Sequence, residues 1–196
     1  MRKQQQFNNS CGAASLLCAA VELQARQLPN VGGSNRGQPL AVTPTCEAAL
    51  YEITSGALTG GHVKPIIHGA LGYSLPHNLA IAARELGLDV AIYIHGRLSS
   101  MISTFYPDAE PNCIRAGFTV NHREAPSLAH NQRALKVMIS GGVGLHYVMK
   151  RSDGTYMDPA DGNDFTSFNH MNSWSKMYKF TGITLVLSSP LGAPGA

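Results

Sequence analysis

The sequence predicts an α+β fold, on three observations. Helix start signals crowd the first half of the chain, strand signals crowd the last third, and strands do not alternate with helices as they do around a parallel sheet. The predicted arrangement is an N-terminal helical part packed on a C-terminal antiparallel sheet. With 196 residues, 44% of them hydrophobic, the chain can bury one full core. A single domain is expected over residues 1–188, followed by a flexible Pro/Gly-rich tail at 189–196.

The first helix is expected from about Cys11 to Gln27, with Leu16, Ala20, Leu23 and Gln27 on one face and Pro29 beyond its end. Pro29 to Pro39 is rich in Gly, Asn and Ser and reads as loop. Thr43 before Pro44 is an N-cap with proline at the first helical position, so a second helix covers about Pro44 to Thr54. Gly56 to Gly72 is irregular and carries His62 and His68. Ser74-Leu75-Pro76 starts a helix to Leu86, closed by Gly87. Leu88 to Ile94 alternates into a strand. Leu98 to Tyr106 reads as a short helix and Ser127 to Ser140 as a longer one. Beyond Gly141-Gly142-Val143-Gly144 come strands at His146–Arg151 and Thr155–Asp158, joined by Ser152-Asp153-Gly154, and a last strand at Gly182–Leu187.

Composition narrows the partners. The net charge is +3, and no Lys/Arg cluster exceeds two or three residues, so neither a nucleic acid nor an anionic membrane is expected as partner. No apolar run approaches the ~20 residues of a membrane span. Met1-Arg2-Lys3 is followed by glutamines where a secretory signal needs an apolar stretch. Cys11, Cys18, Cys46 and Cys113 show neither CxxC nor zinc-ligand spacing and fit reduced thiols. The expected location is the cytoplasm, or a target cell reached through a secretion machine. His62, His68 and His77 lack a ligand motif, so no metal or cofactor is expected.

Cys11 carries the strongest chemical signal. Asn8-Asn9-Ser10 offers N-cap chemistry, which starts the helix within a residue or two of the thiol. Unpaired N–H groups and the positive dipole end there favour a thiolate, and an imidazolium neighbour can bring a thiol of ~8.5 down to roughly 3.5–7.5. The same N–H groups can hold an oxyanion, with a second donor from Gln4, Gln5 or Gln6, which lie seven, six and five residues upstream. Cys18, two turns further on in an apolar stretch, reads instead as packing.

His146 and an acid would complete the site, and hairpin register decides which acid. With Asp153-Gly154 as a two-residue turn, Ser152 pairs with Thr155 and His146 lies opposite Asp161. With Ser152-Asp153-Gly154 as a three-residue loop, Val148 pairs with Asp158, which then shares the His146 face. Pro159 restricts Asp158 to extended geometry, whereas Asp161 precedes Gly162 in a turn. The expectation is Asp158.

NSCGAASLL, LPHNLAIAARELGLDV and GLHYVMKRSDGTYMDPADG, in that order, resemble papain-like cysteine peptidases of the bacteriocin-processing type, which remove double-glycine leaders. Bacterial effectors and toxins use the same fold. Ser10 stands where that leader-peptidase family commonly has an acid. The resemblance implies Cys11 as nucleophile, His146 as general base and acid, Asp158 as orienting carboxylate and Gln5 or Gln6 as oxyanion donor, Gln5 being preferred. It implies a thiol protease or amidase acting on a protein or peptide, with a glutamine deamidase or acyl transferase as the alternative on the same fold. An inert binding module is the reading from a different class, and it requires Cys11 to be buried and unreactive.

Overall fold

A computed structural model describes residues 1–30, 35–57, 72–96, 107–140, 144–172 and 176–190. The described helices are α1 (Cys11–Glu22), α2 (Pro44–Thr54), α3 (Pro76–Glu85), α4 (Ala109–Arg115) and α5 (Phe168–Met171). The strands are β1 (Asp89–Ile94), β2 (Val120–Asn121), β3 (Gln132–Ser140), β4 (Gly144–Arg151), β5 (Tyr156–Asp158), β6 (Asn163–Phe165) and β7 (Lys179–Ser188). They form one sheet in the order β2-β1-β7-β3-β4-β5-β6. All neighbours are antiparallel except β1 and β2, which run parallel. The architecture is α+β, as expected.

The large core lies between the sheet and the helices. Leu16, Leu17, Leu50 and Leu79 meet Leu135, Tyr147, Met149 and Leu185 there. The other sheet face has its own apolar cluster, with Met138, Val148, Tyr156, Met171 and Tyr178. Thr43 caps α2 by accepting the Cys46 N–H at 3.2 Å. Pro44 and Pro76 open α2 and α3, as their sequence signals require.

Three expectations need correction. The segment Ser127–Ser140 is not a helix; β3 occupies Gln132–Ser140 as a central strand between β4 and β7. Its two faces are both covered, Leu135 by the helix-side core and Met138 by the opposite cluster, so the apolar residues Val137-Met138-Ile139 follow one another and the alternation is blurred. The first helix ends at Glu22 rather than Gln27. Gln24 takes a left-handed conformation (φ 64°), and the Ala25 and Gln24 N–H groups bond back to the Ala20 and Val21 carbonyls. That reversal lets Gln27 bridge Pro39. The third concerns the stretch between Asp108 and Gly117, where no element is expected and α4 forms.

The helix expected at 98–106, the loop histidines His62 and His68, and tail residues 191–196 lie outside the described residues. Ser189, the start of the expected tail, is held by two hydrogen bonds, its N–H to Asn131 and its hydroxyl to Leu23.

Candidate active site

Cys11 is the first residue of α1, and β4 runs beside it. The Cys11 thiol faces the Leu145 carbonyl at 4.0 Å, and one turn later the Ser15 hydroxyl donates to the Tyr147 carbonyl at 3.2 Å. Four residues of helix and two of strand each advance about 6 Å. Helix and strand therefore run in the same direction, and the start of α1 meets the start of β4, where His146 lies. Gly12 is required by a close approach: a Cβ there would come 2.4 Å from Ser74 Cβ, in the loop before α3.

The helix begins where expected, but not through the expected cap. Ser10 has φ −87° and ψ 13° and makes no side-chain cap bond. Its hydroxyl instead donates to Glu47 Oε1 at 2.6 Å.

The β4–β5 hairpin has the three-residue loop. Met149 pairs with Met157 and Lys150 with Tyr156, and the Arg151 N–H donates to the Thr155 carbonyl. Gly154 is left-handed, φ +87°. This register sets Asp158 across from Val148, diagonal to His146 on the same face. His146 Nε2 lies 2.7 Å from Asp158 Oδ1, and a carboxylate can only accept, so Nε2 carries the proton. Nδ1 is the ring nitrogen left over, and interaction with Cys11 adds to that with Asp158 in favouring the charged imidazole. His146 is 7% exposed and Asp158 0%.

Asp158 is satisfied on every side. Oδ1 also accepts the Ala160 N–H at 2.9 Å, while Oδ2 accepts Lys176 Nζ at 2.6 Å and the Tyr178 hydroxyl at 3.0 Å. Burial disfavours the carboxylate, but these donors and the His146 ring outweigh it and hold Asp158 well below the ordinary carboxylate range. Burial likewise opposes charge on His146. Hydrogen bonds to Asp158 and Cys11 win, so the imidazole holds its proton above its ordinary value. Tyr178 stacks on the imidazole, centroids 4.9 Å apart and planes 18° off parallel. Asp161 does not face the ring; its Oδ2 pairs with Lys176 at 2.6 Å. Burial works against the Lys176 ammonium, and its bonds to Asp158 and Asp161 more than restore it.

The three glutamines line one cavity of about 450 Å³ together with Asn9, Tyr73, His146 and Tyr178. Cys11 is 2% exposed and is not among the lining residues. Gln5 Nε2 donates to the Phe7 and Asn8 carbonyls at 2.8 and 2.9 Å, bracing the turn before the helix. Gln4 Nε2 reaches the Ala160 carbonyl at 3.3 Å. The Gln6 N–H is held by Glu47 Oε1 at 2.8 Å.

Sequence reasoning missed Lys176, Tyr178 and Glu47. Lys176 and Tyr178 come just before β7, in no recognisable motif, and reach Asp158 only through the sheet. Glu47 reads as an ordinary first-turn acid of α2. Its complete burial (0% exposed) is invisible in the sequence.

A helix-borne thiol against the start of an antiparallel hairpin, on an α+β fold, is the architecture of papain-like cysteine proteases. The comparisons with known proteins agree with that class. Residues 3–190 match the family described as invasion plasmid antigen J, cysteine protease, and the chain belongs to that family. Cysteine protease IpaJ of Shigella flexneri is 36% identical over 209 residues, which cover 96% of this chain and 78% of that protein. The family falls on the effector side of the resemblance read from the sequence. No solved structure matches. Among the described residues, no helix is long and apolar enough to cross a membrane.

Proposed function

We propose that residues 1–188 form a thiol protease domain in which Cys11, His146 and Asp158 act as a triad on a peptide bond of a protein substrate. The observation that carries this reading is the 2.7 Å bond of His146 Nε2 to a buried, fully satisfied Asp158, at the strand start where the Leu145 carbonyl faces the Cys11 thiol. The Cys11 proton rests on His146 Nδ1 in the imidazolium, and the Cys11 sulfur attacks the carbonyl carbon. The oxyanion is held by the Cys11 backbone N–H and a glutamine amide, Gln5 by preference or Gln6, a donor worth about 2.7–4 kcal/mol to the transition state. For Gln5 this requires its amide to leave the Phe7 and Asn8 carbonyls. His146 then protonates the leaving amine and the C–N bond breaks, leaving a thioester on Cys11. Water, deprotonated by His146, attacks the thioester and frees the carboxylate product and the thiol. Throughout, Asp158 stays ionised and holds the ring tautomer.

Kinship with an invasion plasmid antigen supports delivery into a target cell, where a host protein would be the substrate. Incubating a host-cell lysate with the wild type or Cys11→Ala, then identifying new protein N-termini by mass spectrometry, tests the reading. Cys11-dependent new N-termini are expected. Intact targets heavier by about one dalton at a glutamine, without new termini, would replace proteolysis with deamidation.

A further inference from the structure

Glu47 is a carboxylate with no exposure at all, on a helix that contributes nothing else to the chemistry described. Burying an ionised carboxylate is costly unless its oxygens are fully engaged, and every group that engages this one comes from the segment leading to the nucleophile. Oε1 accepts the Ser10 hydroxyl at 2.6 Å and the Gln6 N–H at 2.8 Å. Oε2 lies 2.7 Å from Lys3 Nζ. The Ser10 oxygen in turn accepts the Phe7 N–H at 3.1 Å. One side chain from α2 thus ties down residues 3, 6 and 10 and, through Ser10, residue 7. This short strap contains both glutamines proposed as oxyanion donors and ends on the residue before Cys11.

We propose that Glu47 is a positioning residue for the oxyanion hole, clamping the 3–10 strap so that its glutamine amide and the Cys11 N–H converge on one point. The inference rests on the proposed triad, and it separates two functions of the site. His146 and Asp158 reach Cys11 from the sheet and do not touch Glu47. Generating the nucleophile should therefore survive loss of the clamp, while stabilising an oxyanion should not.

Two small reagents divide these functions without a known substrate. Iodoacetamide is attacked at a saturated carbon and builds no oxyanion. p-Nitrophenyl acetate is attacked at a carbonyl: the S–C bond forms, the oxyanion collapses, and p-nitrophenolate leaves in a burst. In Glu47→Gln, the Cys11-dependent p-nitrophenolate burst rate should fall about tenfold or more, approaching the ~10²–10³ associated with losing one oxyanion donor. Iodoacetamide alkylation of Cys11, located by peptide mass spectrometry, should stay within about twofold of wild type if nucleophile generation is untouched. Ser10→Ala, which removes the 2.6 Å bond and leaves Glu47 in place, should show the same split at smaller amplitude and serves if Glu47→Gln does not fold. Equal losses in both reactions, or no loss in either, would overturn the clamp. A wild-type protein whose burst does not depend on Cys11 would instead overturn the triad on which it rests.

Discussion

Cys11 and Cys18 share α1, stand two turns apart, and are 2% and 0% exposed, yet their surroundings differ completely. Cys18 is enclosed by the apolar core, and burial pushes its thiol up to about 12. Cys11 borders that core too, but its sulfur faces the Leu145 carbonyl, next to an imidazole engaged by a buried carboxylate. Depth of burial therefore does not distinguish the inert thiol from the one read as nucleophile. The distinction is what stands opposite each sulfur. At the helix start that is the polar end of the β4–β5 hairpin, and two turns down it is aliphatic packing.

The sharpest way to break the comparison is to delete each sulfur. Cys11→Ala should abolish proteolysis while leaving the thermal midpoint nearly unchanged. Cys18→Ala should keep turnover and lose about 1 kcal/mol of stability through an unfilled core position. Residual proteolysis in Cys11→Ala, or inactivity in a folded Cys18→Ala, would reverse the two roles.

The next effect concerns the acid behind His146. Asp158→Asn keeps the shape but reverses the preferred partner of Nε2, and kcat should fall roughly 10²–10⁴-fold. Asp161→Asn leaves the His146–Asp158 bond in place, so its effect on kcat should stay within about twofold. Steady-state kinetics on one peptide substrate compares the two. Equal losses would mean that Lys176, not Asp158, organises the ring.

Lys176 itself should matter less. Lys176→Met removes a cation beside Asp158, which favours the imidazolium, so the basic limb of the pH–rate profile should move to higher pH. A limb that stays in place would show that Tyr178 and the Ala160 N–H alone set the carboxylate.

The smallest effect is on stability. His146 is raised to about 9 in the fold, so its contribution is complete below the unfolded value of ~6.5 and is lost as pH rises through the folded one. Asp158 has the opposite sense: held low, it stabilises above ~3.9, and that contribution goes as pH falls into the acid range. The difference in thermal midpoint between the wild type and His146→Gln should therefore shrink between about pH 6.5 and 9. A flat difference across that window would mean that the ring is not charged in the folded protein.

Much of the site was legible in the residues because it depends on local rules. Thr43-Pro44 sets one helix start through a cap and a proline, Leu75-Pro76 sets another through the proline alone, and the small residues after Cys11 fit a buried helix. The hairpin narrowed the acid to two candidates, since a period of two leaves only one register or the other. Pro159 favoured Asp158 of the two, and the register that sets it beside His146 came from the Met149–Met157 pairing and the Arg151 N–H bond to the Thr155 carbonyl. Tertiary structure alone decided the rest. The 132–140 segment became a strand because β4 and β7 flank it, and apolar cover on both faces blurs the alternation that would have marked it. Lys176 and Tyr178 meet Asp158 across 18 and 20 residues of chain, and Glu47 meets Ser10 across 37. Such contacts follow from how the sheet and helices stack, and no local pattern encodes them. Residue type and spacing determined which groups could do the chemistry; packing determined which buried charges hold them still.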